Sequence, residues 1–129
     1  MTRAVDTNFL VRLLVADDTR QVTNAEAFLT QHGGVWVSHI VLVETIWVLK
    51  SVYRKTKETL AAVIDSLIEN RDITLQKPNL VKLALASYRT SKADFSDCLI
   101  LETARSEDLL PLGTFDKNLG KLTGTTNLN

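Results

Sequence analysis

Apolar residues along this chain repeat with two different periods in turn, every second residue in short runs and every third or fourth in longer ones. Residues 3–6, RAVD, read as a short strand, and NFLVRLL from Asn8 has helical spacing with Asn8 or Thr7 as the N-cap. TRQVTNAEAFLTQHGG reads as a second helix stopped by Gly33 and Gly34, after which VWVSH (35–39) has the β-branched and aromatic content of a strand. A helix follows from about Val41 to Arg54. TKETLAAVIDSLIENR sets Leu60, Val63, Ile64, Leu67 and Ile68 on one helical face, and ITLQK (73–77) is strand-like before Pro78 opens another helix. ADFSDCLILETARSEDL then reads as a helix, LLPLGTF as a buried strand, DKNLGKL as a short turn or helix, and TTNL as an edge strand. The alternation predicts an α/β fold in three layers, a central parallel sheet of four to five strands flanked by helices. Polar groups at the carboxyl ends of its strands would collect in one crevice.

Composition narrows this picture. A chain of 129 residues, 45% apolar and 23% charged, suits one globular domain over residues 1–129 with a proper core. The single Cys98 excludes an internal disulfide and a cysteine-based zinc cluster; without a signal-peptide pattern it favours a reducing cytoplasm. No run approaches the roughly 18 apolar residues of a membrane span. Fifteen basic and fifteen acidic side chains cancel, so any anionic substrate must be held by local features.

The acids supply those features. Asp6 ends the first predicted strand and by itself fits an Asx-turn or an N-cap. Glu44 lies in VLVETIWVL, where apolar residues surround the helix, so it is expected to be buried against a cation, a hydrogen-bond network or a polar cleft. Asp94 and Asp97 stand one helical turn apart in ADFSDCLI, a spacing that also suits an ordinary helix start. Asp116 follows the strand LLPLGTF. Individually each is weak, but a doubly wound sheet brings Asp6, Glu44, Asp97 and Asp116 to one rim.

Carboxylates gathered this way repel one another unless a cation sits among them. All-oxygen ligation suits Mg²⁺ or Mn²⁺, and the scarcity of His and Cys argues against zinc. Such an ion activates water and orients a phosphodiester, which makes phosphodiester hydrolysis the natural reaction class. His32 and His39 read as structural, Cys98 as a buried thiol, and Trp36 and Trp47 as core or interface residues.

Four segments, VDTNFLVRLL, SHIVLVETIWVL, ADFSDCLILETAR and LPLGTFDKNL, resemble in this order the PIN-domain ribonucleases, particularly the VapC toxins of bacterial toxin–antitoxin systems. The resemblance covers nearly the whole chain. It implies an acid quartet of Asp6, Glu44, Asp97 and Asp116 acting as catalytic metal ligands, with Thr114 and Asn8 as polar neighbours and Asp94 as a supporting group or N-cap. Many relatives carry a further acid two residues after the aspartate of TFD; here Asn118 stands there, able to contact a bound water. The implied activity is that of an endoribonuclease hydrolysing RNA with a metal-activated water and no covalent intermediate. The implied partners are RNA, a cognate VapB-like antitoxin laid over the acidic cleft, and a second copy in a homodimer.

For RNA contact the best basic segment is KSVYRKTK, with Lys50, Arg54, Lys55 and Lys57; Arg12, Lys92 and Lys117 lie nearer the acid motifs. A receiver domain is disfavoured because ITLQKPN offers no phosphoacceptor aspartate. A haloacid-dehalogenase-like phosphatase is disfavoured because Asn8 replaces the second aspartate. The runner-up is a catalytically weak PIN-like domain acting as an RNA-binding or regulatory partner.

Overall fold

The alternation of strand and helix is realised in a computed structural model describing residues 1–129. The chain falls into two compact units, Met1–Pro78 and Asn79–Asn129.

The first unit runs β1 (Arg3–Ala4), α1 (Thr7–Val15), α2 (Thr19–His32), β2 (Val35–Val37), α3 (His39–Ser51), α4 (Lys57–Glu69) and β3 (Ile73–Leu75). Its three strands pair in the order β1-β2-β3, all parallel, with Ala4 opposite Trp36 and Trp36 opposite Thr74. Val35, Val37, Ile73 and Leu75 face the core, whereas the row Ala4, Trp36 and Thr74 is exposed. A parallel sheet covered on both faces would bury both sets. Trp36 is therefore not the core residue its apolar surroundings suggest. Helices supply the other side of this core through Leu10 and Val11 of α1, Leu42, Ile46 and Leu49 of α3, and Leu60, Ile64 and Leu67 of α4.

The turn into β2 depends on glycine. Gly34 has φ +114°, and a Cβ there would lie 2.9 Å from the carbonyl oxygen of Asp72. That close approach lets Val35 N–H donate to the same oxygen at 2.8 Å and sets the register of β2 on β3.

The second unit comprises most of α5 (Pro78–Thr90), α6 (Phe95–Ser106), β4 (Leu112–Thr114), a 3₁₀ turn (Leu119–Lys121) and β5 (Thr125–Asn127). Val81, Ala84, Leu85 and Tyr88 of α5 are buried, as are Phe95, Cys98, Leu99 and Leu101 of α6. The rings of Tyr88 and Phe95 meet edge to face at 5.9 Å. Glu102 is also buried and is paired with Arg105 at 3.3 Å, while Arg105 Nη2 donates to the carbonyl of Thr123 at 3.0 Å. This ties α6 to the segment before β5.

The parallel α/β architecture agrees with the alternating pattern, but the five strands divide into a three-stranded sheet and a separate two-stranded sheet, β4 with β5. The strands are two or three residues long, and each set finds its parallel partners within its own unit. LLPLGTF is correspondingly not a buried strand: Leu112 and Thr114 are half-buried and Phe115 is 70% exposed, because β4 has a neighbour on one side alone.

Candidate active site

In the first unit, Asp6 lies two residues beyond β1 and is itself the N-cap of α1, so that Thr7 and Asn8, the other candidates for that cap, fall inside the helix. Its Oδ1 accepts from the N–H of Phe9 at 2.9 Å, satisfying one of the free donors of the first helical turn. Thr7, next in the chain, turns its hydroxyl the other way and donates from Oγ1 to Glu44 Oε1 at 2.8 Å. The start of α1 is thus fastened to the middle of α3. Glu44 is exposed, in contrast to the burial its apolar neighbours suggest. Helix α3 is apolar nearly all round, yet it buries one side, through Leu42, Thr45, Ile46 and Leu49. Glu44 lies on the open side with Ile40, 71% exposed, and Trp47, 64% exposed, so Trp47 too is no core residue.

Asn8 and Arg12 follow on α1 and line a pocket of about 450 Å³ whose floor continues from Asp6 onto α2. Arg12 reaches Asp17 at 3.5 Å, a loose pair with both side chains substantially exposed. The basic segment KSVYRKTK is broken by the fold: Lys50 is on α3, Arg54 and Lys55 are in the connection, and Lys57 opens α4. Arg54 has φ +55°, and all four side chains are exposed. His39 is structural, its Nε2 bonded to the carbonyl of Gln76 at 2.7 Å, and His32 rests against the ring of Phe28.

In the second unit, Asp97 sits half-buried in the first turn of α6, three residues beyond Asp94. Asp94 holds the N-cap position, although its side chain makes no capping hydrogen bond. Burial first, then the charge of Asp116, then that of Asp94, pushes the Asp97 carboxyl up from its ordinary value of 3.8. Asp97 therefore feels the charge of both neighbouring acids. Asp116 is fixed from both sides: its N–H donates to Thr114 Oγ1 at 3.0 Å, and its Oδ1 accepts from the N–H of Leu119 at 2.8 Å. Thr114, the last residue of β4, is thus the hydroxyl support of this acid in the turn that follows. Asn118, half-buried, precedes the 3₁₀ turn, and Lys117 and Lys92 are exposed.

No group of three or more Asp, Glu, His or Cys side chains is drawn together closely enough to grip one ion. The donor set is nonetheless of one chemical kind. Its oxygens are hard and anionic, and Asp116 and Asp94 are close enough to Asp97 to oppose its ionisation, which fits a hard divalent cation and not a soft one.

Residues 3–124 match the family model described as the PIN domain. The chain belongs to the PIN-domain family. No curated protein matches it. PIN domains are generally Mg²⁺-dependent nucleases, so membership places this chain among nucleic-acid-binding hydrolases that use a divalent metal. No helix of this PIN domain is long and apolar enough to cross a membrane.

Two features of the site escape sequence reasoning. Thr7 is legible as a helix-start residue, but its bond to Glu44 joins positions 37 apart, and nothing local signals it. The α2 wall of the pocket, Gln21, Asn24 and Phe28, carries no motif; its one sequence signal is the recurrence of amides on a helix whose sole buried residue is Ala25.

Proposed function

We propose that this PIN domain is a metal-dependent endoribonuclease, the toxin of a VapBC-type toxin–antitoxin pair, acting in the cytoplasm as one catalytic domain over residues 1–129. In this reading Asp6, Asp97 and Asp116 hold Mg²⁺ or Mn²⁺, and Glu44 ligates or orients the attacking water. Bound there, a divalent ion supplies Lewis-acid activation of water and neutralises charge on the phosphodiester. Thr7 fixes the Glu44 carboxylate, Thr114 and the Leu119 N–H fix Asp116, and Asn8, Asp94 and Asn118 provide polar support beside the acids. Arg12, Lys50, Arg54, Lys55, Lys57, Lys92 and Lys117 are the candidate phosphate contacts.

The observation that carries this reading is the raised Asp97 carboxyl. A half-buried acid opposed by two other acids costs the fold stability, and a cation turns that cost into affinity. The buried Cys98, the one cysteine of the chain, is compatible with a reducing compartment. Ile40 and Trp47, exposed on α3, are the kind of apolar surface that a homodimer or an antitoxin covers.

The test is cleavage of structured RNAs by purified protein with Mg²⁺, with Mn²⁺ or with EDTA, beside Asp6→Asn and Asp97→Asn. Cleavage that needs the metal and is lost in both variants is expected; undiminished cleavage in EDTA and in both variants would overturn the nuclease reading. Growth arrest on expression, relieved by the same substitutions and by co-expression of a cognate antitoxin, tests the toxin role separately. A second reading, a catalytically weak RNA-binding regulator, is favoured by Asn118 standing where many relatives have an acid. RNA retention without cleavage under every metal condition would decide for it.

A further inference from the structure

The pocket between α1 and α2 has a composition unlike the acid clusters. It opens beside Asp6 and is lined on α1 by Asn8, Phe9 and Arg12, and on α2 by Gln21, Asn24 and Phe28. Its volume of about 450 Å³ lies within the range, roughly 300 to 1,000 Å³, in which small organic groups are bound. The rings of Phe9 and Phe28 meet edge to face at 5.7 Å, forming an apolar wall that is half exposed. Three primary amides, of Asn8, Gln21 and Asn24, bring both donors and acceptors to the same hollow.

Charge and shape together select the ligand. Asp6 at the mouth disfavours a bare anion, while Arg12, held loosely by Asp17 at 3.5 Å, can turn to a phosphate at the rim. A wholly apolar ligand would leave three amides unsatisfied. A flat, uncharged, heteroaromatic group with donors and acceptors on its edge satisfies every wall: its face lies on a phenyl ring and its edge meets the amides, as unstacked RNA bases are commonly read.

Resting on the nuclease reading given above, we propose that the α1–α2 pocket is a nucleobase subsite, which receives the base of an RNA nucleotide adjacent to the phosphate cleaved beside Asp6. Gln21 and Asn24 then determine base preference, Phe28 supplies the stacking surface, and Arg12 contacts the sugar–phosphate backbone. Specificity in this protein is set from the exposed side of α2, which carries none of the quartet Asp6, Glu44, Asp97 and Asp116.

The experiment uses the full chain, a pool of single-stranded oligoribonucleotides randomised around the cut, and Mg²⁺, with cut sites read by sequencing. Gln21→Ala, Asn24→Ala and Phe28→Leu are compared with wild type and with Thr30→Ala, an exposed α2 change outside the pocket. Gln21 and Asn24 are exposed helix positions, so alanine there preserves the helix, and circular dichroism checks that it does. The expected result is a base preference at one nucleotide flanking the cut that flattens about tenfold in the amide variants, and not in Thr30→Ala. Cleavage by wild type with no flanking preference, or with a preference untouched by either amide variant, overturns the subsite and leaves the nuclease reading standing. If wild type cleaves nothing, the nuclease reading falls, and titration with the four nucleoside monophosphates decides the subsite alone. Shifts in the side-chain amide resonances of Gln21 and Asn24 would then sustain it, and their absence would overturn it.

Discussion

Thr7 Oγ1 donates to Glu44 Oε1 at 2.8 Å, so the residue after the first acid orients the second across 37 positions of sequence. The bond restrains an otherwise exposed carboxylate. Thr7→Val keeps the shape of the side chain and deletes the donor. A neutral donor to a charged acceptor is worth about 1.5 to 3 kcal/mol when fully formed, and less at an exposed site. RNA cleavage at saturating substrate is therefore expected to fall about tenfold in Thr7→Val and to return in Thr7→Ser, with melting temperature nearly constant throughout. Equal rates in Thr7→Val and wild type would remove Thr7 from the site.

Asp97 makes a prediction of opposite sign for stability and activity. Its carboxyl titrates above 3.8 in the folded chain, for burial first and then for the charges of Asp116 and Asp94. The folded state thus holds this proton more tightly than the unfolded state. The contribution to stability is fully present below the unfolded value and is lost as pH rises through the raised folded value. Asp97→Asn, which mimics the protonated form, is expected to raise the melting temperature at neutral pH and low salt without divalent ions. Solvent screening limits the gain to about 1 kcal/mol or less, or up to about 4 °C. The difference should shrink as pH approaches 4 and reverse when Mg²⁺ stabilises wild type more than the variant. Cleavage should be lost at every pH. A variant less stable than wild type in EDTA at pH 7 would contradict the repulsion.

Much of the fold is local and was accordingly legible. Helix α2 begins at capping Asp18 and stops at Gly33, whose φ of +65° is the left-handed geometry a helix end favours in glycine. Helix α4 shows its buried face as Leu60, Ile64 and Leu67 at helical spacing. The exposure of Glu44 was not legible, because α3 is apolar nearly all round and periodicity names no face to cover. The choice is made by Leu42, Ile46 and Leu49 packing inward, which leaves Ile40, Glu44 and Trp47 outside. Division of the strands into two sheets is likewise a non-local outcome: RAVD and LLPLGTF both read as strands, but nothing in either names its neighbour.

Gly33 and Gly34 separate two kinds of glycine requirement at the entry to β2. At Gly33, φ is +65° and no atom lies within 4 Å of an added Cβ, so Gly33→Ala is expected to cost about 1 kcal/mol of backbone strain alone. At Gly34, φ is +114° and the added Cβ meets the Asp72 carbonyl oxygen at 2.9 Å. Backbone cannot swing aside as a side chain can, so Gly34→Ala should cost about 2 kcal/mol or more and loosen β2 from β3. Urea unfolding followed by far-ultraviolet circular dichroism ranks the two, and equal midpoints would contradict the contact.

Asp6 carries two roles that chemistry allows to be separated. Its Oδ1 caps α1 by accepting from Phe9 N–H at 2.9 Å, and its second carboxylate oxygen is the one left for an ion. Asparagine is as good an N-cap as aspartate, since its side-chain oxygen accepts the same bond, but it brings no charge to a cation. Asp6→Asn should therefore melt within about 0.5 kcal/mol of wild type, while losing both Mg²⁺-dependent cleavage and the rise in melting temperature on adding Mg²⁺. Asp6→Ala should lose cleavage and also about 1 kcal/mol of stability, because α1 is left without its cap. Cleavage retained by Asp6→Asn but lost by Asp6→Ala would mean that Asp6 serves the helix alone, its capping role accounting for its whole effect.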